Sequence, residues 1–184
     1  MLPRTVDSTI RQTEPGSPVL SIVVVNSDGT EDTLRCLESI FCYPPDEPFD
    51  IGGSRVVRES DEDQVTLVGT GITVHECIEA AEALEGEGIS ARVIDCYSIK
   101  PIDADTLRAA GQATGRIVAV EDHWPEGGMG DALLGVFADV EESPRIVKLA
   151  VREMPHSGKP EDTMAAAGID ADGIAEAARQ LVKG

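Results

Sequence analysis

From residue 50 onward the apolar positions follow two alternating rhythms. Short β-branched runs give way to stretches in which apolar residues recur every three or four positions. Residues 65–68, 91–96, 116–120 and 145–151 are of the first kind and predict buried strands. A short alternating run at 55–58 precedes them. Between them, Val74, Cys77, Ile78, Ala81 and Leu84 line one face of a helix predicted over 73–85, which Gly86 and Gly88 stop. Further helices are predicted at 104–110, where Lys100-Pro101-Ile102-Asp103 forms the cap, at 131–138, at 161–166, and at 169–182 with an Ala-rich face. Strand and helix in this order make a mostly parallel sheet with helices on both faces.

The first fifty residues read differently. Residues 1–18 mix Thr, Ser, Pro, Gly and charges without a periodic apolar face, and predict a flexible lead-in. Residues 19–26 (VLSIVVVN) are a continuous β-branched run suited to a buried strand. A helix is expected at 30–41, with Thr30 as its N-cap and Glu31 and Asp32 at the positive end of its dipole. Tyr43-Pro44-Pro45-Asp46-Glu47-Pro48 ends that pattern, and a boundary is drawn near Asp50 between an extension at 1–50 and a domain at 51–184. A chain of 184 residues with 41% hydrophobic composition supports one main core and an extension better than two full domains.

Charge narrows the functional classes. The net charge is −19, from 34 acidic against 15 basic residues spread along the chain. Such a surface repels phosphate backbones and excludes nucleic acid and anionic membrane as expected partners. It suits a salt-rich cell interior. No stretch approaches the roughly 18 apolar residues of a membrane helix, and a cytoplasmic location is expected. Cys36, Cys42, Cys77 and Cys96 lack CxxC or zinc spacing and read as buried free thiols, so no metal site is implied.

In a parallel sheet the loops after the strands are where chemistry gathers, and three of these carry candidate residues. Gly69-Thr70-Gly71 leads into a helix whose free N–H groups could cradle an anion, although a tight turn accounts for it equally well. The third glycine of a dinucleotide fingerprint is missing. Glu121-Asp122-His123 precedes Glu126-Gly127-Gly128-Met129-Gly130, placing a histidine beside two carboxylates and glycines where backbone can approach a ligand or another subunit. No Ser or Cys nucleophile with its own base accompanies it. Ser157 and Lys159, in Met154-Pro155-His156-Ser157-Gly158-Lys159-Pro160, form either a surface anion site or a rigid connector; the phosphate-loop pattern GxxxxGK[ST] is not matched.

Taken together, the runs FDIGGSRVVRESDEDQVTLVGTG, TVHECIEAAEALEGEGISARVIDCYSIKPID, VEDHWPEGGMGDAL and MPHSGKPEDTMAAAGID resemble the C-terminal (third) domain of transketolases, in order and over about 135 residues. The resemblance implies an α/β three-layer fold with a mostly parallel five-stranded sheet, packed beside other domains in a symmetric dimer. It implies thiamine diphosphate and magnesium for the complete enzyme, held by the other domains, so no catalytic, cofactor or metal residue is carried over to this chain. Glu121, Asp122, His123, Gly127, Gly128 and Gly130 are expected near a domain or subunit interface. Residues 18–49 resemble instead the opening strand and helix of family 2 glycosyltransferases, without that family's acidic metal motif. The function implied is that of a ketol transferase's C-terminal domain, inactive alone and acting in assembly, as a homodimer or with a partner carrying the thiamine-binding domains. A non-catalytic anion-binding or regulatory module and a remnant glycosyltransferase fusion are the alternatives.

Overall fold

The computed structural model describes residues 50–184. The strand and helix expected at 19–26 and 30–41, together with Cys36 and Cys42, lie outside the described residues. Strands β1 (Arg55–Arg58), β2 (Val65–Gly69), β3 (Ala91–Asp95), β4 (Arg116–Val120) and β5 (Arg145–Leu149) form one sheet in the order β1-β3-β2-β4-β5. β2 pairs with β3 and β4, and β4 with β5, all in parallel, while β1 closes one edge antiparallel to β3. The expected mostly parallel five-stranded α/β sheet is what the chain forms.

Two-residue alternation sorts the strand side chains into two cores. Val65 and Leu67 of β2 and Val118 and Val120 of β4 pack with helices α1 (Thr73–Glu85) and α5 (Ala171–Lys183) through Cys77, Leu84, Ile174, Ala178 and Leu181. Val68, Ile94, Ile117 and Ala119 face the other way, onto α2 (Ala104–Thr114) and α3 (Met129–Val136) through Leu107, Leu133 and Phe137. Both faces of the sheet are therefore covered, which is why β2 is buried at every position. Cys77 and Cys96 are free and buried, and burial pushes their thiols up to about 12 and about 11.

Several boundaries differ from the sequence expectation. α2 runs on to Thr114, whose hydroxyl bonds Ala110 O at 3.1 Å, and ends at Gly115 in the left-handed region, φ 65°. α3 begins at Met129, two residues early, because a buried carboxylate accepts its first N–H groups. β5 ends at Leu149 instead of running to Val151. The two helices expected at 161–166 and 169–182 form as α4 (Pro160–Ala167) and α5, the second starting two residues late because Gly168, at φ 67°, separates them. Asp170 then caps α5 by accepting from Gly173 N at 3.0 Å.

Candidate functional site

β2 and β4 are neighbours, yet the chain leaves β2 for β3 on one side and β4 for β5 on the other. Their carboxyl ends therefore flank a crevice of the kind where open α/β sheets place ligands. Here it is tied shut at its base. The Thr73 hydroxyl at the start of α1 lies 2.9 Å from Val120 O and also accepts from Thr70 N at 3.0 Å. A Cβ on Gly69 would lie 2.9 Å from Val74 N, so the first glycine of Gly69-Thr70-Gly71 serves close packing of strand against helix.

The 121–130 loop is organised from within. Glu121 is 2% exposed, and its two carboxylate oxygens accept from Met129 N at 2.6 Å and Gly130 N at 3.1 Å. A negative charge thus sits at the positive end of the α3 dipole and satisfies donors that would otherwise be orphaned. A Cβ on Gly128 would stand 1.9 Å from Glu121 Oε2, and one on Gly130 2.9 Å from Oε1; only glycine admits the carboxylate so close. Gly127 turns the chain at φ 77° and donates to Asp131 Oδ2 at 2.7 Å. Lys148 of β5 pairs with Asp131 and donates to Pro125 O at 2.7 Å. The Lys148 hydrogen bond, then that from Gly127, holds the Asp131 carboxyl below its ordinary range.

Beyond this loop a cavity of about 980 Å3 opens, lined by Ile72, Asp122, His123, Trp124, residues 151–158 and one side of α4. Trp124 is 50% exposed, Ile72 47% and Met154 82%. His123 Nδ1 lies 2.7 Å from Trp124 O; since a carbonyl only accepts, Nδ1 donates and Nε2 is left for an outside partner. His123 O accepts from Val151 N at 3.0 Å, joining the two loops. Elsewhere at the strand ends, burial lifts the Asp95 carboxyl above its ordinary range while Arg55 and His75 pull against it.

Of the residues singled out from sequence, Asp122, His123 and Ser157 share this cavity. Glu121, Gly127, Gly128 and Gly130 do not line it; they hold the loop that does. Lys159 is the residue at the N-cap of α4, exposed, between the lining residues Gly158 and Pro160. Sequence reasoning missed Ile72, Trp124 and Arg152. The available signal was a solitary tryptophan in a polar turn between His123 and Pro125, where no apolar periodicity calls for a core residue. Among the described residues no group of three His, Cys, Asp or Glu side chains converges as a metal site, and no helix is long and apolar enough to cross a membrane.

Comparison with known proteins follows this geometry. The family described as "Transketolase, C-terminal domain" matches residues 54–174. Bovine transketolase-like protein 1 is 45% identical over 148 residues, covering 79% of this chain and 24% of that protein. Rat transketolase is 42% identical over 146 residues, covering 79% and 23%. The chain thus spans about a quarter of the length of these relatives. Among solved structures, a split-gene transketolase described as an inactive β4 tetramer superposes with a TM-score of 0.70 at 34% identity, over 76% of this chain and 45% of that one. The transketolase of Leishmania mexicana, at 24% identity, TM-score 0.53 and coverage of 72% and 18%, shows the shared fold alone. Nothing in these comparisons supports the resemblance of residues 18–49 to family 2 glycosyltransferases.

Proposed function

The chain belongs to the transketolase C-terminal domain family, and from that premise we propose that it is the C-terminal component of a thiamine-dependent ketol transferase, inactive alone and acting by assembly with the polypeptide that carries the cofactor. The carrying observation is the family match over 54–174, laid on a sheet whose 34%-identical structural relative is itself a split-gene transketolase described as inactive. That relative's tetrameric assembly makes a homo-oligomer of this chain, before or within the complete enzyme, part of the same reading. The domain boundary near Asp50 and a cytoplasmic location belong to it too.

The donor set supports placing the cofactor elsewhere. A thiamine diphosphate site needs a carboxylate free to engage the cofactor and a set of oxygen ligands for its metal. The buried carboxylate at the strand ends, Glu121, already gives both oxygens to α3 N–H groups. Asp122, Glu153 and Asp162 are exposed at the cavity and do not converge into a metal-ligand group. These residues do not fit the cofactor, and no chemical step is assigned to them. At the α3 N-terminus Glu121 occupies the donors a small anion would take, which argues against an anion site at that helix end. The 121–130 loop and the 151–159 segment are instead read as interface elements.

Transfer of a two-carbon ketol unit from a ketose phosphate to an aldose phosphate, assayed with thiamine diphosphate and magnesium, tests this. Activity is expected only when the chain is mixed with a polypeptide carrying the thiamine-binding part of a transketolase. Turnover by the chain alone would overturn the assignment, and so would a mixture no more active than the thiamine-binding polypeptide by itself.

A further inference from the structure

The cavity beside the 121–130 loop is rich in acceptors. Its lining carries the carboxylates of Asp122, Glu153 and Asp162 against the guanidinium of Arg152 alone. No ion pair among the described residues involves any of these three carboxylates. Arg152 turns one N–H back onto Lys148 O at 3.1 Å, and Lys159, just outside the lining, is matched in charge by Glu161 two residues on. His123 adds a further acceptor: its Nδ1 donates to Trp124 O, so Nε2 of the neutral ring keeps its lone pair for a partner. On the same walls Trp124, Ile72 and Met154 leave apolar surface in water.

We propose that this cavity docks a basic, apolar-flanked protrusion of the thiamine-binding polypeptide, with an arginine or lysine at its centre, an inference that rests on the reading of this chain as one component of a larger enzyme. The sign of the partner follows from two observations. Locally, three carboxylates, the His123 nitrogen and an indole face all attract a cationic donor, and one guanidinium can meet a carboxylate and the face of Trp124 together. Across the whole chain, a net charge of −19 draws a basic surface in and repels an acidic one. Openness points to a protein and not to a small cation: sites for small molecules enclose most of their ligand, whereas every residue of 152–162 is exposed. Apolar surface around an aromatic, rimmed by charge, is the composition of an interface centre. Arg152 is the repulsive element, turning the partner's cation toward the carboxylates and so fixing which way the protrusion lies.

Trp124 is the chain's sole tryptophan, so 5-fluorotryptophan incorporation gives one 19F resonance reporting on this wall. The experiment titrates the full chain with the thiamine-binding polypeptide of the mixing assay, measuring Kd by calorimetry at low and high KCl and following that resonance. The expected result is a shifted resonance, weaker binding at high salt, and Kd raised about tenfold or more by Asp122→Lys or Glu153→Lys. Both positions are exposed, so neither change touches the core. Glu142→Lys, an equal charge change on an exposed residue before β5, at the opposite end of the sheet, should leave Kd near wild type. Arg152→Glu, which removes the opposing cation, should leave Kd unchanged or lower it. A complex that forms with the resonance unmoved, that tolerates both lysine reversals, or that tightens with them and weakens in Arg152→Glu, would overturn the docking site while leaving the component reading intact. Absence of any complex with wild-type chain would sink both.

Discussion

At the scale of single residues the 121–130 loop depends on one close approach. Gly128 is needed for absent volume and not for torsional freedom: its φ is −90°, open to any residue, but its missing Cβ leaves the space that Glu121 Oε2 fills. Gly128→Ala should therefore expel the carboxylate, orphan the Met129 and Gly130 N–H groups, and cost about 2–3 kcal/mol. Urea unfolding at neutral pH measures this. Gly127→Ala meets no atom within 4 Å but must adopt φ 77°, and should cost less, about 1 kcal/mol. If the two losses came out in the reverse order, the close-approach account would be wrong.

At the scale of elements, helix ends and strand starts are fixed by carboxylates. Asp170 caps α5, and Asp170→Ala should lower stability by about 1 kcal/mol in the same unfolding assay. Asp63 gathers the amino end of the sheet, accepting from Ser60 N at 2.8 Å and Ser90 Oγ at 2.8 Å, with Arg92 Nε 3.4 Å away. Desolvation pushes its pKa up, but these bonds together outweigh it and leave the carboxyl below its ordinary range. Asp103, at the N-cap of α2, is lowered in the same way, with bonds from Thr106 and Ser54 overcoming desolvation. A depressed folded-state pKa gives stability that is present above the unfolded value, near 4, and is lost as pH falls through the folded one. The urea midpoint should thus drop between about pH 5 and pH 2, and Asp63→Asn, weaker at pH 7, should show a flatter acid limb. An acid limb as steep in Asp63→Asn as in wild type would contradict this.

For the whole molecule, the net charge of −19 is the dominant long-range term. The ion pairs among the described residues involve only Arg58, Arg92, Lys148 and Arg179 as cations. Most carboxylates therefore repel one another across the surface, and salt should relieve that repulsion. The thermal midpoint is expected to rise by roughly 5 °C or more between 50 mM and 1 M KCl. A flat or falling midpoint would mean the acidic surface is already neutralised by structure.

Local patterning carried most of the fold. The continuous β-branched runs VTLV and RIVAV mark strands buried on both faces, and the three-to-four-residue spacing in residues 73–85 fixes a helix and its buried face, without reference to distant residues. The quoted runs carried the family. Tertiary structure decided the rest. That Glu121 turns inward to cap α3 while Asp122 and His123 face the cavity depends on Met129 and Gly130 N–H groups arriving eight and nine residues later, and on Lys148 reaching across from β5. Trp124, Ile72 and Met154 form one wall only because β2, β4 and β5 end side by side, an adjacency set by strand order. Such a site is a property of where the sheet brings its loops, and residues 52 positions apart, like Ile72 and Trp124, leave no local pattern that records their meeting.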